Sequence, residues 1–201
     1  MKTETSTDFN EQQSILIIKE MIKVSQKKLK NDGILFIIWG WAMFITYINS
    51  YLLYNIVLIY PYHEILSKLN IILGLLALGF TVYYIYKQNT KVQTYIGISL
   101  RYVWISLIIS LILINLIQYN VLHEIKFELQ HPIFMTVIAL ATVITGGILR
   151  YKLIIIGGII FAILAYICSY INLQLQLLIE ALAWLIAFII PGHILYSKRE
   201  K

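Results

Sequence analysis

Six long apolar runs take up most of this chain, and they constrain its fold more than any other feature. They lie at about 33–58, 69–86, 102–121, 132–149, 152–171 and 174–196. A bilayer-spanning helix needs roughly 20 mainly apolar residues. Each run reaches that class, and a segment in lipid must satisfy its own backbone hydrogen bonds, so each run reads as a helix. A transmembrane barrel would show alternating strands of about ten residues instead. The runs are too long and too uniformly apolar for that. The expected fold is therefore all-α: a polytopic six-helix transmembrane bundle over 33–196, after a polar segment 1–32 and before a basic tail 197–201. At 60% hydrophobic and 13% charged, the chain leaves no room for a separate soluble domain.

Charge sets the expected orientation. With six spans, fourteen of the sixteen Lys and Arg residues fall on one side; only Lys68 and Lys126 fall on the other. Short basic loops stay in the cytoplasm, so both termini are expected there. Merging the fourth and fifth runs would put Arg150 and Lys152 in lipid at roughly 2.5–3.5 kcal/mol each. The formal net charge of +6 then follows from topology and requires no nucleic-acid partner. Anionic lipid headgroups are the expected partners of the cytoplasmic face. No cleavable signal peptide is evident in the polar first segment. The single cysteine, Cys168, excludes an intrachain disulfide.

Residues 8–30 read as an amphipathic helix lying in the interface. Asp8 and Glu11 have capping-box spacing, and Ile15, Ile18, Ile22 and Leu29 share a stripe. Lys19, Lys23, Lys27 and Lys30 occupy the other side, placed to meet headgroup phosphates. A docking face for a cytoplasmic protein, or for a second copy of the chain, is the sharper alternative. Tyrosines and tryptophans gather at the run ends, as interfacial belts require. Gly146-Gly147 and Gly157-Gly158 suit close helix packing. Pro191-Gly192 should kink or end the sixth helix.

Candidate chemistry is sparse. Glu180 is the one acidic residue clearly inside a run, and an intramembrane carboxylate is a functional hypothesis by default. The simpler reading is a protonated or snorkelling side chain near the interface. Asn49, Asn115 and Gln118 complete the intramembrane polar set, although hydrogen bonding between helices would explain all three. On the outer face, His63-Glu64, His123-Glu124 and His131 have the residue types of a Zn²⁺ site. They lack the dense spacing of one, and solvated loop residues are the simpler reading. No phosphate-cradling loop, metalloprotease pair or nucleophile elbow occurs. No catalytic residue and no cofactor is expected.

Several stretches carry a resemblance. They are Trp39-Gly40-Trp41, Val92-Gln93-Thr94-Tyr95, His131-Pro132, Thr145-Gly146-Gly147-Ile148-Leu149-Arg150, Ile155-Ile156-Gly157-Gly158-Ile159-Ile160 and Ile190-Pro191-Gly192-His193-Ile194-Leu195. Together they resemble an uncharacterised family of bacterial six-span inner-membrane proteins. The resemblance covers nearly the whole chain. It implies a bacterial cytoplasmic (inner) membrane address and a six-helix fold, and it implies no catalytic residues. The resulting expectation is a non-enzymatic accessory or regulatory membrane component. The alternative is a small-solute or ion channel or transporter using a polar path around Glu180.

Overall fold

The structure is a computed structural model, and it describes residues 13–17, 20, 33–55, 62–89 and 95–197. Among the described residues the chain forms six helices after the N-terminal segment: α1 Gly33–Asn55, α2 His63–Asn89, α3 Tyr95–Leu122, α4 Phe127–Leu149, α5 Lys152–Cys168 and α6 Leu173–Ser197. Five of them are long and apolar enough to cross a membrane, and α5, at 17 residues, is shorter. In the N-terminal segment, residues 13–17 and 20 are helical and exposed. The rest of the expected 8–30 helix, with Lys19, Lys23, Lys27 and Lys30, lies outside the described residues.

The helices differ from the apolar runs at their ends, because polar residues extend them. α2 starts at His63, where Glu64 pairs with Lys68 at 2.7 Å across one turn. An i,i+4 pair of this order favours helix. α4 starts at Phe127, so Pro132 lies inside it and does not open it. α5 stops at Cys168, short of 171, and the Asn172 side chain caps α6 by accepting from the Leu175 N–H at 3.3 Å. α1 is described only as far as Asn55.

α6 is the axis of the bundle. It packs against α1, α4 and α5, while α2 lies against α1 and α3 against α4. Gly33 at the start of α1 meets Leu195 near the end of α6, so these two ends share one face of the bundle. That face is called the terminal end below, and the opposite face the distal end. α2 and α3 turn most of their large apolar side chains outward, as lipid-facing helices do.

Small residues set the helix separations. An added Cβ on Gly40 would lie 2.8 Å from Ile189 of α6, and one on Gly157 would lie 2.9 Å from the Ala187 Cα. The α4–α5 hairpin is tighter still. A Cβ on Gly146 would meet the Ile155 backbone nitrogen at 2.7 Å, and one on Gly158 the Val143 nitrogen at 2.9 Å. Arg150 and Tyr151 alone connect these helices. Arg150 takes the left-handed conformation (φ 51°), so that the Arg150 and Tyr151 N–H groups close on the Gly147 and Gly146 carbonyls.

α6 does not end at Pro191. It widens into a π-turn at Leu185–Ile189, where the Ile190 N–H reaches back five residues to the Leu185 carbonyl. It then continues to Ser197. Proline cannot donate to the residue four back and clashes with that carbonyl. The wider turn just before it accommodates both problems. The turn packs an aromatic cluster: Phe188 lies 4.3 Å from Trp184, 5.5 Å from Phe36, 6.2 Å from Phe161 and 6.3 Å from Trp104, centroid to centroid.

Candidate functional site

Glu180 sits on the second turn of α6 and is completely buried. Burying an ionised carboxylate is expensive unless it is paired and hydrogen-bonded. One pairing is present: the His131 Nδ1 lies 2.6 Å from Glu180 Oε2. His131 is on the second turn of α4, and α4 and α6 both begin at the distal end, which brings the two side chains to one level. The imidazole is 17% exposed while the carboxylate is fully enclosed. The histidine is therefore the part of the pair that reaches the surface.

Two further helices close on the pair. Tyr47 of α1 meets the His131 ring edge to face, centroids 5.9 Å apart. Cys168, at the end of α5, is buried and lies within electrostatic reach of the Glu180 carboxylate. Glu180 Oε1 has no hydrogen-bond partner.

One turn toward the distal end, Gln176 is buried and holds three helix-end carbonyls together. Its Nε2 donates to Glu128 O at 3.0 Å, Cys168 O at 2.9 Å and Ile171 O at 3.0 Å. The sequence explains part of this arrangement. Pro132 has no N–H for the Glu128 carbonyl four residues back, and Ile171 lies in the short turn between α5 and α6, while the Cys168 carbonyl also accepts from the Ile171 N–H at 3.3 Å. Glu128 also lines a groove of about 390 Å³ with Lys126, Phe127, Leu129 and Leu173, between the starts of α4 and α6. On the other side of Glu180, one turn along, the buried Trp184 has an unpartnered Nε1 and begins the aromatic cluster. Gln176, Glu180 and Trp184, spaced by four, thus form a buried stripe along α6.

The remaining expected site residues lie elsewhere. Asn49 donates to Leu66 O at 2.8 Å and Asn70 Oδ1 at 2.7 Å, tying α1 to α2. Asn115 accepts from Gln130 at 2.6 Å, and Gln118 donates to Lys126 O at 3.0 Å, tying α3 to the start of α4. None of the three joins Glu180. The outer histidines and glutamates do not converge either. Glu64 pairs with Lys68 and Glu124 with Lys126, while His131 is drawn into the bundle by Glu180. His123 is exposed at the α3–α4 turn. Among the described residues, no three His, Cys, Asp or Glu side chains gather to hold a metal ion. His193, beside Pro191, is close enough to the Ile189 carbonyl, at 2.9 Å, to donate to it through Nδ1.

Sequence reasoning singled out Glu180 but grouped His131 with the outer loops. Its partner could have been sought by depth, since each residue falls on the second turn of a helix entering from the same end. Gln176 and Tyr47 carried no signal beyond position: one is four residues from Glu180, and the other is one tyrosine among fifteen. No family model matches this chain, and neither a curated protein nor a solved structure matches it.

Proposed function

We propose that this chain is a six-span membrane protein that binds a proton at the buried His131–Glu180 pair, in the service of proton-coupled movement of a small solute or ion. The observation that carries this reading is a completely buried carboxylate held by one histidine, with its second oxygen unpartnered. A buried ion pair rarely adds stability over an apolar pair of the same volume. Intramembrane carboxylates and histidines mark proton and substrate paths.

The chemistry follows from counting protons. With one proton between the rings of acceptors, neutral His131 donates through Nδ1 to ionised Glu180, and the pair carries −1. With a second proton the pair is neutral overall, either as imidazolium and carboxylate or as imidazole and carboxylic acid. The partly exposed imidazole offers the exchange route toward the distal end, and the Trp184–Phe188 cluster fills the bundle on the other side.

The topology belongs to the same proposal. Six spans place both termini in the cytoplasm and the pair in the outer half of the membrane. α5 supports this as the sixth span, because it runs back between α4 and α6 at the lower end of spanning length. The family resemblance supports a bacterial inner-membrane address. An accessory role would draw on the basic cytoplasmic face, which orientation alone explains. It gives no reason for a buried carboxylate, so the transport reading stands ahead.

Infrared difference spectra of the reconstituted protein test the proton site. On acidification, a carboxylic-acid C=O band of the pair should appear. Glu180→Gln should remove it. Identical difference spectra for wild type and Glu180→Gln would overturn the reading.

A further inference from the structure

We infer that Gln176 is the positioning residue of the His131–Glu180 pair: by joining the start of α4 to α6, it sets the register in which the imidazole and the carboxylate meet. The inference rests on the proton-site reading above and names the side chain that holds its geometry.

The two helices that carry the pair have different principal neighbours. α4 packs chiefly on α5, and α6 chiefly on α1. They meet each other mainly along Leu173–Trp184 of α6. Packing elsewhere in the bundle therefore leaves the α4–α6 junction to local contacts. Two polar links span it. Gln176 Nε2 donates to the Glu128 carbonyl at 3.0 Å, and His131 Nδ1 lies 2.6 Å from Glu180 Oε2. The second link lies three residues beyond the first on α4 and four beyond it on α6. Each offset is about one helical turn. The links are thus consecutive rungs between two helices that run the same way.

The rung at Gln176 has a fixed polarity. Carbonyls only accept, so the amide nitrogen and not its oxygen must face them. The same nitrogen donates to Cys168 O at 2.9 Å and Ile171 O at 3.0 Å. It thereby ties the end of α5 and the turn into α6 to the start of α4. Gln176 is 1% exposed, so these bonds form out of reach of solvent. Pro132 prepares the other side of the rung. It has no N–H for the Glu128 carbonyl, which leaves that oxygen free for a donor from another helix. His131 precedes Pro132, so the residue that frees the carbonyl adjoins the imidazole that the rung positions.

A slip of one residue along either helix shifts a side chain by about 1.5 Å and turns it by about 100°. A contact of 2.6 Å does not survive that. Without the rung, imidazole and carboxylate would have to hold the junction themselves. With it, the two groups are set in place by a link that takes no part in their chemistry, as a preorganised site requires.

Nuclear magnetic resonance of the full chain in lipid nanodiscs, with histidine rings isotopically labelled at nitrogen, tests the positioning. The proton between His131 Nδ1 and Glu180 Oε2 should be sheltered from water, and its signal should vanish in His131→Gln. In Gln176→Met, which keeps the length but cannot donate, this proton should exchange about tenfold faster, the order expected when interhelical hydrogen bonds are lost in lipid. Asn49→Ala breaks the α1–α2 link instead. It should lower stability and leave the exchange unchanged. Pro132→Ala gives the Glu128 carbonyl a helical N–H. Added to Gln176→Met, it should recover stability but not slow exchange, because the rung is still missing. Slow exchange in either variant lacking Gln176 overturns the positioning role and leaves the proton reading standing. Equal acceleration in Asn49→Ala also overturns it, since exchange would then follow overall stability. So does an unsheltered proton in the wild type. A sheltered proton in a wild type that shows no Glu180 band on acidification overturns the proton reading and leaves the rung standing.

Discussion

Gly146 and Gly147 are adjacent, yet substitution by alanine should move stability in opposite directions. A Cβ at Gly146 would lie 2.7 Å from both the Ile155 backbone nitrogen and its Cγ1, whereas one at Gly147 would meet nothing within 4 Å. Ordinary contact begins at 3.4 Å, so Gly146→Ala must push the start of α5 away by about 0.7 Å. A radial gap of about 0.5–1 Å forfeits a quarter to a half of each atom pair's attraction. In lipid, van der Waals packing is the main force joining helices. If about twenty atom pairs at ~0.1–0.2 kcal/mol line this end of the hairpin, the loss is about 0.5–2 kcal/mol, overlapping the usual cost of overpacking. Gly147→Ala, by contrast, should gain up to about 1 kcal/mol from helix propensity. Reversible unfolding in mixed micelles of mild detergent and dodecyl sulfate, followed by circular dichroism, measures the difference. Equal effects of the two substitutions, or a larger loss at Gly147, would refute the packing argument.

Within the candidate site, His131→Ala should destabilise by about 3 kcal/mol, because it leaves a buried carboxylate without its partner. Glu180→Gln keeps the shape and can still accept from His131, so it should cost less than about 1 kcal/mol in the same assay; the reverse order would show that His131 does not hold the carboxylate. Asn49→Ala removes both bonds between α1 and α2 and should cost about 0.6–1.7 kcal/mol, the range of interhelical hydrogen bonds in lipid; an unchanged unfolding midpoint would count against that link. A reporter active only outside the cytoplasm should be silent when fused after Lys201, and activity there would remove the proposed topology.

How much could be read beforehand depends on the physical signal each feature leaves. Helix positions were legible because lipid demands long apolar runs. Their polar extensions, such as His63 to Lys68, were not, because hydropathy stops where the membrane stops and the helix need not. Gly146 and Gly158 announced close packing, since small residues do so in lipid. Pro191 announced a disturbance in α6, expected as a kink or an end; the helix does not end there, and the disturbance is one wider turn just before the proline. The uniformly apolar helices gave no hint of which face was inward, so the sequence could not show that α2 and α3 are peripheral or that Asn49 and Asn115 point away from Glu180. His131 was hidden because it lies between a polar loop and an apolar run. Its inward turn depends on α6, far along the chain.

The π-turn separates α6 into two parts with independent angular settings. An α-helix advances about 100° per residue, so one residue more or fewer rotates everything beyond it by that angle. Leu185–Ile189 lies between the stripe that carries Gln176 and Glu180 and the segment where Gly192 presses on Ile37 of α1. Tightening this turn to α geometry, with the segment beyond it held where Gly192 meets Ile37, would swing the Gln176–Glu180 stripe by about 100° and carry Glu180 away from His131. The angular register of the carboxylate against His131 is therefore set by one wider turn in the central helix, the turn on which Gly40, Gly157 and the aromatic cluster pack.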